Sequence, residues 1–380
     1  MIVAVITILP ALLLMAAVLL GGNYFLYRSL VAFFNLSNIV LRRSLLLVLL
    51  ALGISFMISS LIAHYRQGWL SRLYYAVSAG ALALGFNLAL GSGLVWLLYY
   101  LSRELGYGFN LTILGIIVLI SFFIYSIYGF INAFNPQVKS ITVKIKNLPR
   151  EWRGKTIVQL SDIHLGHIHR QSFLKNVVDK TEALNPEIVF ITGDLFDGMD
   201  GDLEEFTSPL QELHSTHGIY FINGNHETYL GVSRALAVVR EAGINILDNQ
   251  MVKINGLQII GLSYPKMNRV TGALGRFKLV KELISSLTEF NSNEPSILLN
   301  HVPKQIAQAR EAGINLQLSG HTHVGQLWPF GYVTRMIYGK YHYGLSAEGD
   351  FNVYTSSGVG TWGPPMRTGN KPEIVAITLE

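Results

Sequence analysis

Five apolar runs in the second half of this 380-residue chain end in side chains that can hold a metal ion or move a proton. Thr156–Leu160 leads into Ser161-Asp162-Ile163-His164, and Ile188–Thr192 into Gly193-Asp194-Leu195-Phe196-Asp197. Ile219–Ile222 leads into Asn223-Gly224-Asn225-His226-Glu227. Ser296–Leu299 leads into Asn300-His301, and Leu316–Leu318 into Ser319-Gly320-His321-Thr322-His323. Imidazole nitrogen suits borderline transition metals, and carboxylate can bridge two cations. Four histidines and two aspartates exceed what one tetrahedral ion uses, so two ions fit better. Two divalent cations against two carboxylates leave a net positive pocket, which suits phosphate and can turn a bridging water into hydroxide near neutral pH. With no cysteine in the sequence, thiolate nucleophiles, zinc fingers and iron–sulfur clusters are excluded.

The elements that carry these groups read as α/β. After Pro136, short apolar runs alternate with amphipathic stretches, and helices are expected at about 171–184, 204–213, 232–241, 278–289 and 304–311. In an open α/β sheet the carboxyl ends of the strands share one edge, where ligand sites gather. Glycine beside Asp194, Asn225 and His321 lets the chain turn sharply and approach the ligated group.

The first part of the chain faces a different solvent. Residues 1–150 hold ten basic residues and one acid, Glu104, whereas residues 151–380 hold 19 basic and 23 acidic. Met1–Gly22, Ser44–Tyr65, Leu73–Ser102 and Leu105–Val138 carry no charged side chain, and each exceeds the ~20 residues that cross a bilayer core. Four membrane helices are predicted, at about 2–22, 44–64, 74–101 and 111–134, forming an anchor over residues 1–135 ahead of a folded domain over 136–380. Met1–Gly22 lacks the basic start of a signal peptide and reads as a retained helix. The spacing-four series Ala81, Gly85, Ala89, Gly93 predicts a face for close helix packing. No span carries an ionisable residue near its centre, which argues against transport. Counting loop charges, with Lys139–Arg150 assigned to the first strand of the folded domain, places that domain on the extracytoplasmic side of the cell membrane.

Together, Asp162-x-His164, Gly193-Asp194-x-x-Asp197, Gly224-Asn225-His226-Glu227, His301 and Gly320-His321-x-His323 resemble the calcineurin-like metallophosphoesterases, with all five blocks present in family order over about 140–380. Gly320–Gln326, Gly358-Val-Gly360 and Pro372-Glu373-Ile374 resemble more narrowly its membrane-attached bacterial branch, which includes enzymes cleaving the pyrophosphate of UDP-diacylglucosamine. The four-helix leader departs from the single anchor segment associated with that branch. The resemblance implies two β-sheets packed face to face and flanked by helices. It implies that Asp162, His164, Asp194 and His323 bind one divalent metal, with Asp194 bridging to a second held by Asn225, His301 and His321. Manganese, iron or zinc suit that set. His226 would be the general acid, or a donor to the transferring phosphoryl group, because a free imidazole titrates in the right range.

The expected activity is metal-dependent hydrolysis of phosphate ester or pyrophosphate bonds by a metal-bridging hydroxide. A lipid-linked pyrophosphate is the alternative substrate, and a non-catalytic, metal-stabilised receptor or scaffold the alternative of another class. A nuclease is disfavoured, since residues 151–380 are net −4 without a basic stripe. No Gly-x-Ser-x-Gly elbow, Walker loop or EF-hand spacing occurs. Gly358-Val-Gly360-Thr-Trp-Gly363 mimics a dinucleotide fingerprint, but Pro364-Pro365 forbids the following helix. Arg367 is a candidate phosphate contact, because guanidinium can grip two oxygens. His167 and His169 read as a solvated loop, Asp197 as ordering its turn, and Glu227 as a support for the ligands. Lys266, Arg269, Arg276 and Lys278 read as a solvated face. Leu327–Tyr343, rich in Trp and Tyr, suits either core packing or a rim facing an apolar ligand or the bilayer interface. The sequence leaves oligomeric state open.

Overall fold

The computed structural model describes residues 2–66, 68–199, 202–268 and 273–380. Arg269 lies outside them. By its internal contacts the chain divides into two compact units, Met1–Ile131 with Gly363–Met366, and Asn132–Trp362 with Arg367–Glu380.

The first unit contains α1 (Ile2–Phe33), α2 (Ile39–Tyr65), α3 (Trp69–Glu104) and α4 (Leu111–Ala133). All four hold stretches long and apolar enough to cross a membrane. Most of these helices run past the uncharged spans and take in Arg28, Arg42, Arg43, Arg72 and Arg103, because backbone hydrogen bonding need not stop where the hydrocarbon does and long basic side chains reach outward to the interface. Among the described residues, uncharged groups bond across this unit: Asn87 Nδ2 donates to Ser126 Oγ (3.0 Å) and to Met366 Sδ (3.3 Å), and Trp96 Nε1 to Ser29 Oγ (3.0 Å). The small-residue series on α3 does not make the expected close contact. Gly85, Ala89 and Gly93 instead line an apolar cavity of about 450 Å³ with Val18, Leu19 and Phe25. Close approach occurs at Gly91 and Gly115, where an added Cβ would meet Phe122 at 3.0 Å and Phe33 at 3.2 Å. Aromatic rings, rather than a facing backbone, fill those notches.

The second unit begins with β1 (Gln137–Val143), β2 (Thr156–Leu160), α5 (Gln171–Glu182), β3 (Ile188–Thr192), α6 (Thr207–Gln211) and β4 (Ile219–Ile222). Next come α7 (Asn225–Leu230), α8 (Val232–Glu241), β5 (Asn245–Ile246), β6 (Met251–Ile254), β7 (Leu257–Leu262) and α9 (Val280–Ser286). It closes with β8 (Ser296–Asn300), α10 (Ile306–Glu311), β9 (Leu316–Ser319), α11 (Phe330–Tyr338), β10 (Gly344–Glu348), β11 (Phe351–Thr355) and β12 (Glu373–Leu379). Two six-stranded sheets result, ordered β1-β12-β2-β3-β4-β5 and β10-β11-β9-β8-β7-β6.

Period-two alternation decides the layering. Ile157, Ile188 and Phe190 of the first sheet meet Ile259, Ile297 and Leu299 of the second in one buried cluster. The intervening Val158, Leu160, Val189 and Ile191 pack against Phe173, Leu174 and Val177 of α5 and Ala235 and Val239 of α8. On the far side, Ile260, Leu262 and Leu298 pack against Val280 and Leu283 of α9 and Ile306 and Ala309 of α10. Both faces of the central strands are thus covered, which is why their sequences read as unbroken apolar runs. Because β2, β3 and β4 are mutually parallel, as are β8 and β9, their polar carboxyl-end loops emerge together. Gln159 ties the two sheets just beneath those loops, its Nε2 donating to Thr192 Oγ1 and the Ser319 carbonyl, both at 2.9 Å.

Candidate metal centre

Each strand end turns abruptly into the site. Asp162 (φ 53°), His164 (φ 53°), Asp194 (φ 52°), His321 (φ 69°) and His323 (φ 46°) are all in the left-handed backbone region. That region disfavours residues with a Cβ, but Asp and His tolerate it better than most. The loops also approach one another too closely for side chains. A Cβ on Gly320 would lie 1.9 Å from Ser161 Oγ and 2.2 Å from Asp162 Oδ2, and one on Gly224 would lie 2.2 Å from Asp194 Oδ1.

Two donor clusters form, and Asp194 belongs to the second. In the first, His164 Nε2 lies 2.9 Å from His323 Nε2, which lies 3.4 Å from Asp162 Oδ1. In the second, His301 Nε2 lies 3.1 Å from both Asp194 Oδ2 and Asn225 Oδ1. Asp194, His301 and His321 offer ligand atoms within 4.8 Å of one another, as do Asp162, His164 and His323. Ligands about 2 Å from a common cation stand about 3–4 Å apart, so the spacing fits. His226 is also near: with His164 and Asp194 it forms a third grouping on the same 4.8 Å scale, its Nε2 3.9 Å from Asp194 Oδ2. All seven expected ligands and His226 therefore converge.

Surrounding groups set tautomers and angles. His301 Nδ1–H donates to the Thr192 carbonyl (2.8 Å), turning Nε2 towards Asp194 and Asn225, and His226 Nδ1–H donates to the Asp197 carbonyl (2.7 Å). Asp162 accepts from the His321 amide (3.0 Å) and Ser161 Oγ (2.5 Å). Glu227, fully buried, accepts from the amides of Gly224 (2.7 Å), Asp194 (3.0 Å) and Phe196 (3.1 Å), locking the two loops that present Asp194 and Asn225. His164 Nδ1 and Asp197 Oδ1 are both buried without a hydrogen-bond partner, yet face each other at 3.7 Å. A cation on Nε2 would place the ring proton on Nδ1, facing that carboxylate, as in a metal–histidine–carboxylate chain.

Several sequence expectations change here. Arg367 is fully buried, and its five N–H groups go to the carbonyls of Gly360 and Ser357, Asn370 Oδ1 and His323 Nδ1. As placed, it braces the His323 ring and the Gly358–Thr361 loop and has no donor left for a phosphate. His169 is not solvated. It is buried against Phe173, ring centroids 4.0 Å apart, and its Nε2 accepts from the Thr361 amide (3.0 Å). His167 is buried too. No sequence block marked either residue, yet His169 lies close enough for its charge to act on the His164 ring. Lys266 pairs with Asp248 (2.7 Å) and Arg276 with Glu282, as a solvated face would. Sequence reasoning missed Tyr229 and Trp362, both exposed, whose rings lie 5.5 and 6.0 Å from that of His226.

Burial and charge prepare the donors. Burial pushes the His321 ring down to about 3, helped by charge on His301, while burial with the charges of His226 and Arg367 holds His164 and His323 well below the ordinary histidine range. These rings are neutral, as ligands must be. Burial opposes charge on His301 as well, but Asp194 and Asp162 outweigh it and raise the ring to about 10. Asp194 is held well below the carboxylate range: burial raises it, and His301 and His226 overcome that. Replacing the carboxylate that faces His164, in Asp197→Asn, should weaken metal binding by about 10–100-fold with folding intact. Metal titration of the chelated protein checks this, and unchanged affinity would exclude the role.

A family model described as calcineurin-like phosphoesterase matches residues 155–325. The chain is 34% identical over 283 residues to an uncharacterized metallophosphoesterase of Campylobacter jejuni, covering 73% of each chain. It is 30% identical over 255 residues to an uncharacterized metallophosphoesterase of Aquifex aeolicus, covering 67% of this chain and 95% of that one. A transmembrane protein with metallophosphoesterase domain from Danio rerio is 31% identical over 292 residues, covering 72% of this chain and 63% of that one. Bacterial relatives and animal transmembrane relatives thus share the domain whose strand ends gather the metal donors. With its two-sheet fold and buried donor clusters, this chain belongs to the calcineurin-like metallophosphoesterases.

Proposed function

We propose that the protein is a membrane-anchored phosphoesterase that works with two divalent cations. The observation that carries this reading is Asp194, a buried carboxylate that shares one donor grouping with His301 and His321 and another with His164 and His226. Asp162, His164 and His323 would hold one ion, Asn225, His301 and His321 the other, and Asp194 both. When bound, the ions supply Lewis-acid charge and activate water. The chain itself does the rest. Glu227 and Ser161 fix the carboxylates, Asp197 and Thr192 fix the rings, and His226 holds Nε2 3.9 Å from Asp194 Oδ2 with Nδ1 tied to a carbonyl. Protonated on Nε2, His226 can hand its proton to the departing oxygen.

A lipid-linked phosphate or pyrophosphate is a second substrate reading, supported by apolar surface at the mouth. A cleft of about 250 Å³ beside His301 is walled by Leu262, Tyr264, Phe277 and Val302, and Tyr229 and Trp362 flank His226. An extracytoplasmic domain remains the proposed topology. Its support is that Lys139 lies in β1, paired along its length with β12, so it belongs to the folded sheet rather than to a flanking loop. Protection of the domain from protease in intact cells would reverse that orientation.

His226→Ala should cut turnover of an aryl phosphodiester by about 10²–10⁴-fold with metal content kept, whereas Asp194→Asn should lose metal and activity together. Full activity in either variant rejects the assignment. Bound metal without turnover on a broad phosphate panel would favour a scaffold, and soluble esters turning over while membrane lipids stay unchanged would dismiss the lipid substrate. Metal uptake should also release at least one proton per chain near pH 7, because His301 is charged in the metal-free protein and neutral as a ligand, with Glu227 and Asp197, both at about 7, adding to it. The release should fade as pH rises past about 10, where that ring is already neutral. Titration in weak buffer reads it, and no release near pH 7 would remove His301 from the ligand set.

A further inference from the structure

Helix α11 is built the opposite way from α5 and α8. Helices α5 and α8 bury their large apolar residues, such as Phe173, Leu174 and Val177, or Leu236 and Val239. No residue of α11 is buried. Its inward positions are small: a Cβ on Gly331 would meet the Val324 carbonyl at 3.1 Å, and Thr334 Oγ1 folds back onto the Gly331 carbonyl at 2.9 Å. The large apolar side chains point out, with Tyr332 66%, Val333 48%, Met336 85% and Ile337 63% exposed, and Trp328 just before the helix 45% exposed. Tyr332 and Met336, and Val333 and Ile337, stand four residues apart and form one face. The last residue of the helix, Tyr338, has its ring 6.3 Å from that of metal-ligand candidate His321, so this face borders the metal centre.

We infer that α11 is an interfacial helix that lays this apolar face into the headgroup boundary of an anionic bilayer. A contiguous exposed apolar face on a folded domain marks an interaction surface. Three observations select lipid as its occupant. Phe330–Tyr338 holds no acid and carries one exposed base, Arg335, whereas the nearby Lys340 is paired with Glu348 at 2.6 Å. Tryptophan and tyrosine are the side chains that settle where acyl chains meet headgroups. The same chain carries four helices apolar enough to cross a membrane, so a bilayer is its surroundings. The inference concerns the surface alone and stands whichever ester is hydrolysed.

The absence of cysteine makes the test specific. Met336→Cys, at the most exposed of these positions, carries an environment-sensitive fluorophore on the full chain in nanodiscs containing phosphatidylglycerol, with Glu212→Cys as an aqueous reference. The α11 label should be quenched by shallow lipid-borne quenchers and shielded from iodide, and the reference should behave in reverse. Tyr332→Glu with Ile337→Glu should lower the docked-to-undocked ratio about tenfold or more, from the apolar surface lost. Replacing phosphatidylglycerol by neutral lipid should lower it about fivefold. A label open to iodide and untouched by lipid quenchers overturns the inference. So does one shielded from both, which would mean that a second copy or another protein covers the helix.

Discussion

The structure turns on keeping a cluster of carboxylates ionisable in a place that water scarcely reaches. Asp162, Asp194, Asp197 and Glu227 are all buried within one group of loops, where an uncompensated charge is prohibitively costly. The protein compensates with specific partners. Asp194 has His301 at 3.1 Å and the His226 amide at 2.9 Å, and Glu227 takes three backbone amides. Even so, burial and the neighbouring Asp194 push Glu227 up to about 7, and burial does the same to Asp197. The pocket is therefore short of positive charge from its own residues. Divalent cations at the donor clusters would supply the charge that this arrangement calls for, and the same excess would suit a phosphate.

That demand explains the backbone. Donors separated by up to 161 residues, Asp162 and His323, must point at one place, and helices or strands are too regular to turn a side chain back over a sheet edge. Five candidate ligand residues therefore sit in the left-handed region, at a cost of about 1–3 kcal/mol each. The sheets bear this cost. Ile157, Phe190, Ile297 and Leu299 are fully buried between them, and Gln159 bonds across them directly below the loops. A rigid two-sheet core holds strained loops that an isolated segment could not.

Much of this was legible in the chain itself, because the metal donors and the strands announce themselves together. An apolar run followed by Asp, Asn or His is a local pattern, and five repetitions gave both the strand ends and the eight residues that converge. The helices at 171–182, 232–241 and 306–311 follow the amphipathic stretches closely. What the pattern could not give was pairing across space. Arg367 lies beside the site with all its donors turned to loop carbonyls and His323, and nothing in Met366-Arg367-Thr368 distinguishes that from a free guanidinium. His169 reads as one more polar loop residue until Phe173 is seen packed against it. The orphan pair His164 Nδ1 and Asp197 Oδ1 is likewise a property of two loops, not of either one.

The aromatic stretch 327–343 shows a different limit. Periodicity reveals that a helix has an apolar face but not which way that face points. In α5 and α8 it points to the sheet. In α11 the sequence between large residues contains Gly331 and Thr334, small enough to let the helix lie down on the Val324–Gly325 turn with its bulky side outward. Turning it over would push Met336 and Ile337 into space that Gly331 needs, beside a metal-ligand loop already in a strained conformation. The outward face follows from the close seating of that helix on the loop that presents His321 and His323, so the geometry that positions the ligands also fixes what borders them.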